Sequence, residues 1–295
     1  MKKIIVIAGP TASGKSALAL ELARIFGGEI VSADSMQIYK YLDIGTAKPT
    51  KDELDTVPHH MVDVVDPREK NAYSCADFAR DARVIIDDIL ARGRVPILCG
   101  GTGLYIDTVL KGTEFSEGDT DFAYRDELFE IAREKGNEHV HEMLREVDPD
   151  SAEATHPNNL KRVIRALEIH HTTGITKTEW DKRSHEKPAE FEASFIALSY
   201  REREKLYERI NRRVDIMLER GLLDEVESLL KEGYLIKDTT AAQAIGYKEL
   251  IAYFDGSSSL EDAIEDIKRE SRRYAKRQLT WFSRTGYSGE VETEK

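Results

Sequence analysis

No apolar run in the sequence approaches the ~20 residues needed to cross a bilayer as a helix, so a membrane-spanning helix is excluded. The first apolar stretch, Ile4 to Ala8, follows Met1-Lys2-Lys3 in the manner of a secretory leader. Gly9-Pro10 ends it after five residues, too few for a leader core, so a buried strand is the better reading. Cysteine is scarce. Cys75 and Cys99 are the only two in 295 residues, and they form neither a CxxC pair nor a Cys/His cluster. A disulfide framework and a structural zinc are therefore not expected, and a reducing, cytoplasmic setting is. The pairs His59-His60 and His170-His171 are poor metal sites, because adjacent side chains leave a helix or strand in different directions. Positive charge is also in deficit, with 43 Lys and Arg against 55 Asp and Glu and a net charge of −12. That argues against nonspecific coating of nucleic acid but leaves room for a local basic patch. Lys268, Arg269, Arg272, Arg273, Lys276, Arg277 and Arg284 supply such a patch, with Glu270 the lone acid among them and a local charge of +6.

What is present alternates between two periods. Residues 3–8 predict a strand, and about Gly14 to Phe26 a helix whose apolar face is Leu18, Leu22, Ile25 and Phe26. Strands are predicted at Glu29–Val31, Met61–Val65 and Val95–Cys99, with a helix over about Ser74–Arg92 and another opening after Gly100-Gly101-Thr102-Gly103. From Asp121 to about Arg183 only helical periodicity is found; Ser194–Ser199 again reads as a strand, and helices follow. This predicts an α/β fold, a P-loop NTPase-like parallel sheet flanked by helices, with an all-helical insertion. The expected boundaries are 1–113 and 194–287 for the catalytic core, 114–193 for the insertion and 288–295 for a frayed tail.

Gly9-Pro10-Thr11-Ala12-Ser13-Gly14-Lys15-Ser16 matches G-x-x-x-x-G-K-[ST] in full, between a strand and a helix as the motif requires. Backbone N–H groups and the helix N-terminus offer positive potential to a phosphate chain. Lys15 adds a point charge, and the Ser16 hydroxyl is a candidate ligand for Mg²⁺. The loop says that a di- or triphosphate is bound, but not which bond breaks. A small-molecule kinase remains open on this motif alone. A regulatory GTPase is disfavoured by the lack of an N-K-x-D sequence.

Further blocks narrow the choice. Ser32-Ala33-Asp34-Ser35-Met36-Gln37-Ile38-Tyr39, Asp43-Ile44-Gly45-Thr46-Ala47-Lys48-Pro49, Pro58-His59-His60, Tyr73-Ser74 with Asp77-Phe78, and Gly100-Gly101-Thr102-Gly103-Leu104-Tyr105 follow in order. Downstream come His156-Pro157-Asn158, Arg165-Ala166-Leu167-Glu168, Ala244-Ile245-Gly246-Tyr247-Lys248-Glu249, and Lys276-Arg277-Gln278 with Trp281. Taken with the loop, these blocks resemble the tRNA dimethylallyltransferases over nearly the whole chain. The resemblance implies transfer of a prenyl group from dimethylallyl diphosphate to N6 of adenosine 37 in tRNAs that read codons beginning with U. Eukaryotic relatives often carry a C-terminal zinc finger; this sequence ends without one, like the bacterial members.

Adenine N6 is a weak nucleophile, so alkylation needs a base for its proton and stabilisation of the departing diphosphate. Asp34, at the carboxyl end of a predicted strand beside the phosphate loop, is placed for the first task, and the resemblance assigns it that role. A turn or capping Asp is the alternative on position alone. Thr102, by resemblance, hydrogen-bonds near the diphosphate oxygens, or else caps the next helix. On the helix carrying Leu206, Ile210, Val214 and Met217, Arg213 lies about 55° from the apolar stripe and Arg212 about 155° away. Arg212 is thus expected in water and Arg213 at the core boundary, where it needs an anion: a diphosphate, or a carboxylate in a salt bridge.

An acceptor base must leave its stack to reach such a site. The resemblance puts Asp34, Ser35, Met36, Gln37 and Thr102 against the base and its neighbour. It puts tRNA contacts on the insertion at Lys161, Arg162, Val163, Ile164 and Arg165, with Arg125 a further candidate. Periodicity separates a basic side, Lys161, Arg162 and Arg165, from a packed side, Leu160, Val163, Ile164 and Leu167. The final helix divides similarly, with Leu260, Ile264, Ile267, Tyr274, Gln278 and Trp281 along one stripe and the +6 patch on the other side. A tRNA anticodon stem-loop and dimethylallyl diphosphate are the expected partners, with Mg²⁺ as cofactor and a monomer as the working state.

Overall fold

Val6, Ile7 and Ala8 are inaccessible to solvent, as a central strand covered on both faces requires. They belong to β1 (Lys2–Ala8). The structure is a computed structural model that describes residues 1–69, 73–111, 121–185, 190–237, 239–284 and 290–292. After β1 come α1 (Lys15–Phe26), β2 (Gly28–Ser32), α2 (Lys51–Thr56), β3 (His59–His60), α3 (Cys75–Ala91), β4 (Val95–Gly100) and α4 (Gly103–Leu110). Five helices follow: α5 (Phe122–Lys135), α6 (Asn137–Val147), α7 (Pro149–Ala154), α8 (Leu160–Thr173) and α9 (Lys177–His185). Then come β5 (Phe191–Ser199), α10 (Arg203–Glu219), α11 (Leu222–Lys231), α12 (Tyr247–Phe254), α13 (Leu260–Arg284) and β6 (Glu290–Glu292).

The six strands form one parallel sheet in the order β3-β2-β4-β1-β5-β6. Alternation divides its side chains between two cores. Ile7, Ile30 and Ile97 pack with Ala19, Leu20 and Ala23 of α1, while Val6, Val31 and Leu98 pack with Phe78, Ile86 and Ile89 of α3. The Ser74–Asp77 capping box starts α3, and Phe78 stacks on Tyr105 of α4 with ring centroids 4.0 Å apart. Because β2, β4 and β1 are neighbours, the loops after Ser32, Gly100 and Ala8 emerge side by side at the carboxyl edge, where sheets of this class bind ligands.

Three expectations change. The packed face of α1 is Ala19, Leu20 and Ala23 with Leu18 and Leu22 at its margin, whereas Ile25 and Phe26 are 64% and 54% exposed. Small residues let the helix approach the sheet, which outweighs the larger apolar stripe. The strand expected at Met61–Val65 is replaced by the two-residue β3, because Met61 and Asp63 take positive φ angles of 62° and 57°; Met61 and Val65 remain buried. In the tail expected to fray, the backbone of Glu290–Glu292 pairs with Ala197–Ser199 as β6, while residues 288–289 and 293–295 lie outside the described set.

Contacts divide the chain into Met1–Leu110 with Glu190–Lys295, and Lys111–Ala189. The expected boundary at 113 falls outside the described residues, and β5 begins at Phe191, ahead of the expected 194. The second unit is helical among its described residues and has its own core, in which Leu128, Val140, Leu144, Val163, Ile164 and Leu167 meet. Asp148 binds its helices together, accepting from Ser151 N (3.1 Å), Thr178 N (2.9 Å) and Thr178 Oγ1 (2.6 Å).

Candidate active site

The phosphate loop turns from β1 into α1 and is held from behind by the far end of the chain. Gln278, 5% exposed on α13, accepts from Thr11 N (2.8 Å) and donates Nε2 to Gly101 O (2.9 Å). Gly101 has to lack a side chain, because a Cβ there would lie 2.1 Å from Gln278 Nε2. One loop amide is thereby spent inside the protein. The first-turn N–H groups of α1 have no intrahelical acceptor, and Gly14 provides no side-chain cap. The Ser13 hydroxyl is buried and has no partner among the described residues. Lys15 Nζ donates to Pro10 O at 2.6 Å. Burial pushes this ammonium down to about 8, with Arg213 adding repulsion against the opposing pull of Asp34.

Ala12 to Ala17 line a hollow of about 420 Å³ whose other wall is Arg209, Arg212 and Arg213 of α10. Arg209 Nε also donates to Ala12 O (3.1 Å). Arg212 is exposed as expected, but the water it faces is that of the phosphate groove. Arg209, which the sequence motifs do not mark, lies four residues before Arg213 and so on the same helix face.

Asp34 and Arg213 meet on a second hollow of about 270 Å³, lined also by Thr11, Val214, Met217 and Ile245. Asp34 Oδ1 accepts from Met36 N (2.9 Å) and Gln37 N (3.4 Å), which is the turn-capping role. Among the described residues Oδ2 accepts nothing, so the capping role leaves half the carboxylate available. Arg213 has no salt bridge among the described residues. Burial lowers its basicity, with only Asp34 opposing. A cation in part-dry surroundings is stabilised by an anionic partner, and a diphosphate is a suitable one.

The remaining expected residues divide. Ser35 and Met36 line the same hollow as Asp34. The Gln37 amide is committed to its own surroundings, accepting from Ser32 Oγ (2.9 Å) and donating to Thr46 O (3.3 Å) and Ala47 O (3.1 Å). Thr102 Oγ1 accepts from Ser35 N (3.1 Å) and so positions the residue beside Asp34. Gly9 and Pro10 form the base of the loop, and Ser16 is exposed at the start of α1.

In the helical unit, Lys161 and Arg162 are exposed, but Val163 and Ile164 are 0% and 2% exposed in its core. Their side chains belong to that core, so the exposed side of this helix is carried by Lys161 and Arg162. Arg125 and Arg165 both hold the Glu168 carboxylate, at 2.7 and 2.6 Å, and Glu168 is fully buried. On α13 three of the seven cations are paired: Lys268 with Asp215 (2.8 Å), Arg269 with Asp266 (2.6 Å) and Arg273 with Glu270 (2.7 Å). Lys276 and Arg277 remain exposed, with the Arg277 guanidinium 5.6 Å from the Tyr274 ring.

A parallel sheet, a phosphate loop at its carboxyl edge and a carboxylate facing an unpaired arginine define a P-loop enzyme that acts on a substrate carrying a phosphate chain. The family profile described as IPP transferase matches residues 37–285, and one described as isopentenyl transferase matches residues 2–64. The tRNA dimethylallyltransferase of Geobacillus thermodenitrificans is 53% identical, over 95% of this chain and 87% of that protein. The crystal structure of the full-length tRNA isopentenylpyrophosphate transferase of Bacillus halodurans is 46% identical, with a TM-score of 0.72 over 99% of this chain and 90% of that one. A eukaryotic dimethylallyltransferase described as acting on tRNA is 36% identical, with a TM-score of 0.78 over 96% and 70% of the two chains. The chain belongs to the IPP transferase family.

Proposed function

We infer that this protein transfers the dimethylallyl group of dimethylallyl diphosphate to tRNA, at N6 of adenosine 37 in tRNAs reading codons that begin with U. Family membership supports the prenyl donor and the tRNA acceptor. The observation that carries the chemistry is the shared hollow, in which the free oxygen of Asp34 and the unpaired guanidinium of Arg213 meet among apolar side chains. The diphosphate lies along the groove of Ala12–Ser16, Lys15, Arg209 and Arg213. The flipped adenine offers N6 to the allylic C1. The N6–C1 bond forms as the C1–O bond breaks; the electron pair leaves with diphosphate, and the N6 proton passes to Asp34 Oδ2. Thr102 acts through Ser35, holding the Asp34 turn still.

The donor set also fits a divalent ion brought in by the diphosphate. Among the described residues there is no group of three His, Cys, Asp or Glu side chains for a protein-built cage. Ser16 Oγ beside the phosphate groove suits Mg²⁺, which takes most of its ligands from phosphate and water. When bound, Mg²⁺ would neutralise charge on the leaving diphosphate. Lys161 and Arg162 on the helical unit, with Lys276 and Arg277 on α13, are the cations available to stem-loop phosphates. One chain supplies the whole hollow, so a monomer suffices, and the cytoplasm, where tRNA is, is its place of work. Among the described residues no helix is long and apolar enough to cross a membrane.

The test is mass analysis of tRNA nucleosides after incubation with the purified protein, dimethylallyl diphosphate and Mg²⁺. N6-(dimethylallyl)adenosine at position 37 is the expected product. Phosphorylation of an acceptor by ATP, with no five-carbon adduct, would establish a kinase instead.

A further inference from the structure

The loop Asp43–Ala47 stands between two hollows. Gly45 and Thr46 line the one that holds Asp34. Asp43, Ile44 and Ala47 line a neighbouring hollow of about 470 Å³, and Arg213 and Met217 border both. The loop is therefore a wall, and its position fixes how much room the first hollow has. Thr46 Oγ1 donates to Leu42 O (2.5 Å), and Ile44 and Ala47 touch the main core, which leaves the amides of Asp43, Ile44 and Gly45 to be held from elsewhere.

The first three amides of the wall are fixed by a single carboxylate. Glu225 of α11 accepts from three successive backbone N–H groups, Asp43 (3.2 Å), Ile44 (2.8 Å) and Gly45 (3.3 Å). Tyr247 of α12, fully buried, donates its hydroxyl to the same carboxylate at 2.6 Å. Its ring lies flush against Gly45, where a Cβ would sit 2.5 Å from Cε2. From the other side the Gln37 amide holds Thr46 O and Ala47 O. Neither Glu225 nor Tyr247 lines either hollow, so they touch no substrate placed there. Three convergent amides form an anion nest, here filled by the protein's own side chain.

We propose that the Glu225–Tyr247 pair is a positioning device that sets prenyl-chain specificity, holding the wall at Gly45–Thr46 so that the hollow accepts five carbons and rejects ten. This rests on the reading of that hollow as the prenyl site. With the carboxylate neutralised, an amide must turn part of its face from acceptor to donor against three backbone donors. The wall then yields toward the neighbouring hollow, and a longer chain gains space.

The experiment compares kcat/KM for dimethylallyl and geranyl diphosphates with unmodified tRNA, in the wild type, Glu225→Gln and Tyr247→Phe. The wild type should prefer dimethylallyl by about 100-fold or more, and Glu225→Gln should narrow that preference by about 10-fold. Tyr247→Phe, which keeps the ring against Gly45, should narrow it less. The ratio does not depend on the fraction of enzyme folded, so general loss of structure does not imitate the effect. An unchanged ratio in both variants overturns the proposal, as does a wild type that uses both donors equally. If Glu225→Gln does not fold, Tyr247→Phe decides. A wild type that transfers neither group would instead refute the prenyl-transfer reading itself.

Discussion

Lys15 and Arg213 are held in part-dry surroundings, and neither has a carboxylate partner among the described residues. This has a pH consequence. With its free pKa lowered to about 8, Lys15 is charged below that pH and neutral above it. A bound diphosphate restores the charged form, so binding above pH 8 must take up a proton. kcat/KM for the prenyl donor should therefore fall as pH rises through about 8, and Lys15→Arg should remove that limb while lowering the overall rate. Asp34→Asn should lower single-turnover rates by ~10²–10⁴-fold with little change in tRNA affinity; a near-normal rate would strip Asp34 of its role as base. Arg213→Ala should lower kcat/KM for dimethylallyl diphosphate by ~10²–10³-fold while leaving tRNA binding in place, and weakened tRNA binding with normal donor handling would count against the assignment. The placement of Asp34 at the carboxyl edge and of Arg213 at the core boundary is legible in the sequence because strand end and helical angle are local geometry. Arg209, four residues before Arg213 on the same helix face, is legible on the same ground. Gln278 is not, since its partners Thr11 and Gly101 lie 267 and 177 positions away in the chain.

Periodicity in α8 located the packed face, and Val163 and Ile164 are on it. What it did not show is that Arg125 and Arg165 meet at one buried carboxylate, because the Arg125–Glu168 pair joins α5 to α8 across 43 positions. Hydrogen bonds from the two arginines hold the Glu168 carboxyl below its ordinary range despite its burial. Breaking the cluster with Glu168→Ala should cost about 2–3 kcal/mol in chemical denaturation, less than a fully enclosed pair because both arginines are about a third exposed. Lys161→Ala and Arg162→Ala, on the exposed face, should change stability by under about 0.5 kcal/mol and weaken tRNA binding instead. A stable Glu168→Ala protein with lost tRNA affinity would reverse this division. In the same way the short apolar runs at residues 3–8 and Val95–Cys99 located two central strands, while the two-residue β3 carried too short a signal to be placed.

At the scale of the molecule, a net charge of −12 has to coexist with binding to a polyanion. The run on α13 carries seven cations, but Asp215, Asp266 and Glu270 pair with three of them. Asp266 and Glu270 belong to α13 itself, whereas Asp215 comes from α10, a partner that charge counted along one helix misses. Association with tRNA should accordingly weaken steeply with salt, and Lys276→Ala should reduce the log–log slope by about 0.7–0.9. Lys268→Ala, whose ammonium is already paired with Asp215, should leave the slope nearly unchanged. Equal changes from both variants would mean that the pairs give way to RNA.

The Gln278 clip also bears on how the protein comes into being. The ribosome makes the motif at residues 9–16 long before it reaches position 278, so on the nascent chain the loop exists in sequence before the side chain that braces Thr11 N does. Synthesis that stops between the two would leave a fragment with the motif and without its brace.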